Sequence, residues 1–495
     1  MICKCHRAQP AGQIRIAPDL TYPGKSFAVA RACMSTITST KKSLIDRHIQ
    51  EKGLPTANVH IGSVRLRCTA LQLWPGYKEN DHHKHNIRAS PSHKGNHNRW
   101  INLTTSATKC SHSATSMTEK ILHPSISQAN ALSAVDFRSD TVTSPTASML
   151  QAMISSAVGD DVYSEDETTA NLEKHVADLL GHEAGLFVPS GTAGNQIAIR
   201  VHLTQPPHSV LCHARSHINQ YEAGGIATLS QAMVQPVWPS KGPNLTLEDV
   251  KRGVVLWDDV HSAPTRVIAL ENTYGGTILP LKEVQRISEF ARSNNIRIHC
   301  DGARLWNAIA AGAGSFRDYG ASFDSISLCF SKGIGAPIGS VLVGSKTFIE
   351  RARWIRKSIG GGMRQTGVIA GAARVALDEV FPKLAATHEI ARDIEKHLHS
   401  LGLKTVLPVE TNMIFIDLEA AGLDNDWLVE EAKNAGLKLG YDGRIVVHHQ
   451  ISTEAVQKLK EVLSRVMEKK AAGVYAEGSQ ARTNGGAYGG RPKRT

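Results

Sequence analysis

The chain has little of what marks several common protein classes. No stretch approaches the ~18 consecutive apolar residues that a membrane-spanning helix needs, which excludes an integral helical membrane protein. Eight cysteines in 495 residues are too dilute for a disulfide scaffold, so a reducing compartment is the default. The glycine-bearing turn Ser190–Asn195 is not closed by Gly-Lys-Ser/Thr and so is not a P-loop, and no internal repeat is present. Neither Cys3-Lys4-Cys5-His6 nor His82-His83-Lys84-His85 has the CxxC-type pairing of a zinc site, and no metal is expected. Acidic residues run short in one place only. Residues 1–134 hold 18 Lys/Arg against 6 Asp/Glu, so they carry +12 of a net +11 and leave −1 for the other 361 residues. The basic balance therefore describes an appendage, and steering arguments do not reach the body of the chain. That appendage lacks aromatic interleaving or a binding module, so a nucleic-acid partner is not expected.

What is present fits a globular enzyme. Hydrophobic residues make up 41% and charged residues 20%, and the length suits two to four domains, roughly 100–200 residues each. Residues 1–133 show no sustained helical or alternating periodicity and are expected to be mostly a disordered, basic extension. Residues 1–45 are poor in acid and contain Arg and Ser/Thr, as mitochondrial transit peptides do. Met34 and Met117 are alternative internal starts. From 134 to 380, apolar strands alternate with amphipathic helices. The strands are expected at Ala184–Pro189, Ser209–Cys212, Thr265–Glu271, Ile296–Cys300, Ser325–Phe330 and Gly339–Val343. Helices are expected between them, at Asn171–Leu180 and Leu281–Ser293 for example. That alternation predicts an α/β fold with a mostly parallel sheet covered on both faces. A long helix over Asp378–Leu401, strands at Met413–Leu418 and Arg444–His448, and a helix near Trp427–Ala435 predict a smaller α/β domain over 381–470. The Gly-, Ala-, Arg- and Lys-rich residues 471–495 read as a disordered tail.

Ligands in such sheets sit beyond the carboxyl ends of the strands. After Leu186–Pro189 comes Ser190-Gly191-Thr192-Ala193-Gly194-Asn195, whose small residues let backbone N–H groups approach an anion at a helix start. After Ile296–Cys300 comes Asp301, which alone suits a salt bridge, a metal or a protonated ring nitrogen. After Ser325–Phe330 comes Lys332, between Ser331 and Gly333, where desolvation frees an amine. Taken singly, each is also an ordinary feature of a strand end. Together they match the needs of pyridoxal 5'-phosphate: phosphate at Gly191 and Thr192, ring nitrogen at Asp301, aldehyde at Lys332 as a Schiff base. His217, between the first two elements and Asp301, is placed to stack on the ring. Cys212, Cys300 and Cys329 lie in strands and read as inert core.

Longer motifs carry a resemblance. Asp136-Phe137-Arg138-Ser139-Asp140-Thr141-Val142-Thr143, Val158–Asp166, Phe187–Gln196, His217 with Tyr221-Glu222, Asp301–Arg304, Ser331-Lys332-Gly333 and Gly360–Gln365 resemble the L-threonine aldolases. These belong to the aspartate-aminotransferase-like, fold type I, pyridoxal-phosphate enzymes. The resemblance covers about 135–468. It implies cleavage of L-threonine and L-allo-threonine to glycine and acetaldehyde in a cytoplasmic homotetramer. The alternative on the same scaffold is another pyridoxal-phosphate lyase or an aminotransferase. By the same resemblance, Lys332 is the Schiff-base lysine, Asp301 the ring-nitrogen partner and His217 the stacking histidine and candidate base. Gly191 and Thr192 hold phosphate. Ser139, Arg304 and Arg444 hold the substrate carboxylate, with Tyr163 and Tyr221 on the substrate side, and Arg304 also borders the cofactor. Lys357 and Arg364 reach the cofactor phosphate of a neighbouring subunit. One departure stands out. Many members read Glu-Asn-Thr-His where this chain has Glu271-Asn272-Thr273-Tyr274. Tyr274 can orient a substrate hydroxyl, but at an ordinary pKa of ~10 it is a poor base near neutrality.

Overall fold

The computed structural model describes residues 56–61, 64–69, 124–257 and 259–474. Most of the extension 1–133, the transit-peptide reading of 1–45 and the tail beyond 474 therefore lie outside the described residues. Within the extension, β1 (Thr56–Ile61) and β2 (Val64–Thr69) pair antiparallel as a hairpin. A helix runs over Pro124–Ser133.

The body is built on one seven-stranded sheet. Its strands are β3 (Ala184–Val188), β4 (Ser209–His213), β5 (Met233–Val237), β6 (Thr265–Glu271), β7 (Arg297–Gly302), β8 (Ser325–Cys329) and β9 (Ser340–Gly344). The spatial order is β3-β9-β8-β7-β6-β4-β5. Strand β9 is antiparallel to both β3 and β8, and every other pairing is parallel. Strands β4, β8 and β9 are buried at every position, as a parallel sheet covered on both faces requires. Six strands fall where their apolar runs predict. The seventh, β5, reads Met-Val-Gln-Pro-Val. Pro236 cannot donate to a ladder, and β5 sits at the sheet edge, where that costs nothing.

Helices fill the crossovers. Leu281–Ser293 forms as the pattern predicts. Asp166 caps Glu167–Leu180 by accepting from Thr169 N at 2.9 Å, and it also accepts from Gly159 N and Gly367 N. One carboxylate thus joins three segments. The predicted helix Asp378–Leu401 is instead two, Gly367–Val380 and Leu384–Ser400, with a short turn at Phe381–Lys383 between them. Pro382 lacks an N–H and clashes with the preceding turn, so one continuous helix cannot form there.

Among the described residues the two largest of five hydrophobic clusters organise the body. The larger packs Leu172, Val176, Phe187, Ile268, Ile298, Trp306 and Phe330 about the sheet. The second packs Phe137 with Ile394, Leu398, Ile414, Leu428, Ile445, Leu459 and Val462. It gathers around the two-stranded antiparallel pair β10 (Met413–Phe415) and β11 (Arg444–Val446). Phe137 N donates to Lys438 O and Val446 N donates to Phe137 O, both at 2.8 Å, so the start of the body is stitched into this second cluster. Each fully buried aliphatic or aromatic side chain here is worth roughly 1.5–3 kcal/mol.

One close approach sets the site's floor. The helix Gly191–His202 lies on β8, and a Cβ at Gly194 would come within 2.3 Å of Ser327 Oγ. A larger residue there would have to turn the Ser327 hydroxyl aside and press on its Cβ, 3.2 Å away.

Candidate active site

Strands β3, β4, β6, β7 and β8 end at one edge of the sheet, and the candidate residues follow those ends. Ser190 closes β3 and caps the helix Gly191–His202, accepting from Ala193 N at 3.1 Å. The first-turn N–H groups of Gly191 and Thr192 therefore face outward from a positive helix end. Ser340 opens β9. Because β9 runs against its neighbours, this residue lies at the same edge, paired with Val188 and Cys329. Its buried Oγ has no hydrogen-bond partner among the described residues, and it lies 3.8 Å from where a Cβ on Gly191 would be. An unmet hydroxyl beside a helix N-terminus suits a phosphate.

Asp301 and Glu271 end β7 and β6 in register. Asp301 is buried and accepts from Asn195 Nδ2 at 2.9 Å and from Ala303 N at 3.1 Å. Burial, reinforced by the neighbouring Asp301 charge, pushes the Glu271 carboxyl up to about 7. Glu271 Oε2 accepts from the backbone N of His217 at 2.8 Å. His217 Nδ1 in turn lies 2.9 Å from Glu222 Oε1. That hydrogen bond raises the imidazole above its ordinary value, against the opposing effect of burial. Glu222 Oε2 accepts from Gln196 Nε2 at 2.6 Å, so the carboxylate is held at both oxygens. The donor atoms of His217, Glu222 and Asp301 lie within 4.8 Å of one another. Each is already bonded inside this group or to Asn195, so the cluster is closed by its own contacts.

Arg304 follows Asp301 by three residues. Its Nε and Nη2 bond bidentately to Asp140 at 2.8 and 2.6 Å, with both side chains buried. Burial alone would push the Asp140 carboxyl up. The guanidinium of Arg304 outweighs this, with help from Lys332 and Arg444, and holds it well below the usual carboxylate range. Asp140 is thus the anion around which Arg304, Lys332 and Arg444 gather. Ser139, beside it, accepts from Thr141 N at 3.2 Å and Thr141 Oγ1 at 2.9 Å. Lys332 lies in the turn after β8, which is closed by Gly335 N donating to Lys332 O at 2.7 Å.

Tyr221 packs its ring 5.8 Å from that of His217. Tyr274 is buried, its ring 4.3 Å from His213. Burial, then the Glu271 charge, push its phenol up to about 12. Still less phenolate is therefore present near neutrality than on an exposed tyrosine, so Tyr274 does not serve as a base there.

Three expected site residues stand apart. Tyr163 lies in the short turn Asp161–Tyr163 and is 72% exposed. Arg364 Nη1 pairs with Asp160 at 2.8 Å, and Asp161 N donates to Arg364 O. Lys357 sits in the last turn of the helix Lys346–Ser358, beside Gly362. These residues form a second cluster, tied to the first turn by the buried pair Arg356–Asp161.

The sequence reading passed over Asn195, Gln196, Glu271 and the role of Asp140. Asn195 and Gln196 closed a matched motif, and Asp140 lay inside another, but nothing in either pattern told which side chain faces the strand ends. The buried period-two face of β7, His299 then Asp301, was the available signal.

Comparisons with known proteins follow this geometry. The family model described as beta-eliminating lyase matches residues 136–421. The aldolase vrtJ of Penicillium aethiopicum is 53% identical over 340 residues, covering 68% of this chain and 86% of that protein. The low specificity L-threonine aldolase of Saccharomyces cerevisiae is 47% identical over 335 residues, covering 67% and 86%. Among solved structures, the threonine aldolase of Leishmania major superposes with a TM-score of 0.59 at 20% identity, over 67% of this chain and 99% of that one. That likeness speaks for the fold, the aspartate-aminotransferase-like, fold type I arrangement.

Proposed function

From the premise that the chain belongs to the beta-eliminating lyase family, we propose that it cleaves L-threonine and L-allo-threonine to glycine and acetaldehyde. It is a carbon–carbon lyase of the low-specificity threonine aldolase type, the name that several relatives at 46–47% identity carry. The observation that carries the reading is the convergence at one sheet edge of an anion cradle, a buried Asp301 and Lys332, with Arg304 and Arg444 beside them around Asp140.

The residues fit pyridoxal 5'-phosphate. Gly191, Thr192 and the unmet Ser340 Oγ would hold its phosphate, Asp301 its ring nitrogen, Lys332 its aldehyde and His217 the ring face. When bound, that group supplies the sink for the electron pair left on Cα as the Cα–Cβ bond breaks. Arg304 and Arg444 offer guanidinium groups to the substrate carboxylate, aided by Ser139, and remain charged at any working pH. Asp140 fixes the fork of Arg304. His217 is the candidate base. Its Nδ1 is anchored on Glu222, which leaves Nε2 to take the β-hydroxyl proton. Tyr274, held protonated, orients that hydroxyl and does not take its proton. Tyr221 borders His217 on the same side.

The same reading extends to assembly. Lys357, Arg364 and Tyr163 form a cluster of their own, which supports a homotetramer in which they serve a neighbouring subunit's site. It divides the body into a cofactor-binding part over 134–380 and a smaller part over 381–470, a division the two largest hydrophobic clusters follow except that Phe137 packs with the smaller part and Leu384 with the larger. It places the enzyme in the cytoplasm, or in the mitochondrion if residues 1–45 are a transit peptide; Cys212, Cys300 and Cys329, buried and unpaired, fit a reducing compartment of either kind.

The test is product analysis on the purified chain with pyridoxal phosphate. Acetaldehyde trapped by a coupled dehydrogenase, with equimolar glycine, is the expected result from both threonine diastereomers. Pyruvate or another keto acid would instead support the rival lyase or aminotransferase. No product from either substrate would sink the proposal.

A further inference from the structure

Behind Asp301 lies a buried polar path that the reaction as described leaves unused. Asn195 Nδ2 donates to two carboxylates at once, Asp301 Oδ2 and Glu222 Oε1, each at 2.9 Å. The two carboxylate oxygens accept these bonds, so the amide lies with nitrogen toward them and Oδ1 away. Oδ1 faces His299 Nε2 at 3.1 Å. An amide oxygen cannot donate, so Nε2 carries the proton. His299 is fully buried, which pushes its imidazole down to about 3 and keeps it neutral, leaving Nδ1 as an acceptor. Nδ1 lies 2.8 Å from Ser325 Oγ, so the serine proton points at the ring. Ser325 Oγ must then accept from His202 Nε2, 2.7 Å away. Burial pushes His202 down to about 3 as well. Both tautomers and every proton in the chain follow from the two carboxylates at its end.

The placement is a product of the fold. His299 and Asp301 share one face of β7, Ser325 faces the same side from β8, and Asn195 and His202 stand two turns apart on the helix Gly191–His202 above them. Asp301 is also faced by Glu271 from β6, by His217 and Glu222 from the segment after β4, and by Lys332 from the turn after β8.

We propose that His202, Ser325, His299 and Asn195 form a one-way hydrogen-bond chain that holds Asp301 as an acceptor aimed at a protonated ring nitrogen, so that Ser325 and His299 are positioning residues. The proposal rests on the reading above, in which that ring is the cofactor's. A chain that donates at every link favours a ligand that brings a proton to Asp301.

The experiment compares equilibrium binding of pyridoxal 5'-phosphate with binding of its 1-deaza analogue, in which the ring N is replaced by C–H. Wild type should prefer the nitrogen-containing ring strongly. In Ser325→Ala the preference should fall by about tenfold, because His299 Nδ1 loses its donor and the amide its anchor, and Ser325→Thr should restore it. A packing role alone would weaken both ligands equally and leave their ratio intact, and that outcome overturns the proposal, as does a ratio and affinity both unchanged. If the alanine variant does not fold, imidazole ¹⁵N shifts of the wild-type protein decide. His202 and His299 should both be neutral Nε2–H tautomers, and an Nδ1–H tautomer at either overturns the chain. Wild type that binds neither ring would refute the cofactor reading instead, and the tautomer measurement would still judge the hydrogen-bond chain.

Discussion

The Arg304–Asp140 pair gives the most quantitative prediction. The perturbation is Asp140→Asn, which keeps the shape and removes the charge. In the native pair, two hydrogen bonds of 2.8 and 2.6 Å join groups that are both buried. Asparagine can accept only one of them, and its amide N–H₂ meets the guanidinium head-on. Arg304 is then a buried charge short of its partner, a situation that costs about 3–5 kcal/mol. The described body spans roughly 350 residues. At an unfolding entropy of ~2.1 cal/mol/K per residue this corresponds to a fall in melting temperature of about 4–7 °C. The assay is thermal melting of wild type and variant under identical cofactor and protein concentrations. The pH dependence is a second check. The Asp140 carboxyl is depressed in the folded state. Its contribution is therefore complete above the unfolded value, near ~4, and is lost as pH falls toward the folded one. The gap between wild type and D140N should hold from pH 8 to about 5 and narrow below about 4. A melting shift under about 2 °C would refute the argument that Asp140 holds Arg304 in place.

Three further outcomes are expected. Lys332→Ala should bind pyridoxal phosphate without the near-visible absorbance of lysine-bound cofactor, and an unchanged spectrum would remove Lys332 from its role. Glu222→Gln replaces the charged acceptor that raises His217 with a neutral one, so the acid limb of kcat/KM should move to lower pH. An unmoved limb would mean that His217 is not the titrating base. Tyr274→Phe should alter the threonine to allo-threonine ratio through KM, by no more than about tenfold, and leave the alkaline limb in place. A shifted alkaline limb would contradict a phenol held near 12.

Much of the fold was legible because buried parallel strands announce themselves. Ser325–Cys329 and Ser340–Gly344 are apolar enough to be found from composition alone. The edge strand Met233–Val237 was not, because Pro236 and half-exposed neighbours erase its signal. Pro382 was visible in the sequence, yet the helical pattern on both sides outweighed it until the backbone showed the break. Lys332 and the Gly191–Thr192 turn were legible as residues just past a strand, and Asp301 as one at a strand's end, where it is the next-to-last residue of β7, because the chain's direction there limits what a residue can reach. Asp140, Glu222 and Asn195 were not assigned, because their roles depend on partners 164, 5 and 106 residues away, respectively Arg304, His217 and Asp301. One-dimensional spacing carries no trace of such pairings. Tyr274 shows the opposite limit. Its identity was plain, but its raised phenol depends on burial and on Glu271, which only the fold reveals.

The contact between Gly194 and Ser327 has a consequence for how this enzyme can change. With 2.3 Å between Ser327 Oγ and the point where a first side-chain carbon would stand, and 3.2 Å to the Ser327 Cβ, the helix meets β8 with little room to spare. A methyl there would have to turn the Ser327 hydroxyl aside and press on the carbon that carries it. The same helix offers its N-terminus at Gly191 and its Asn195 amide to Asp301. In the proposed binding mode this one helix would therefore meet both ends of the cofactor. Variation in substrate size would then fall first to Tyr274, Tyr221 and the loops that carry them.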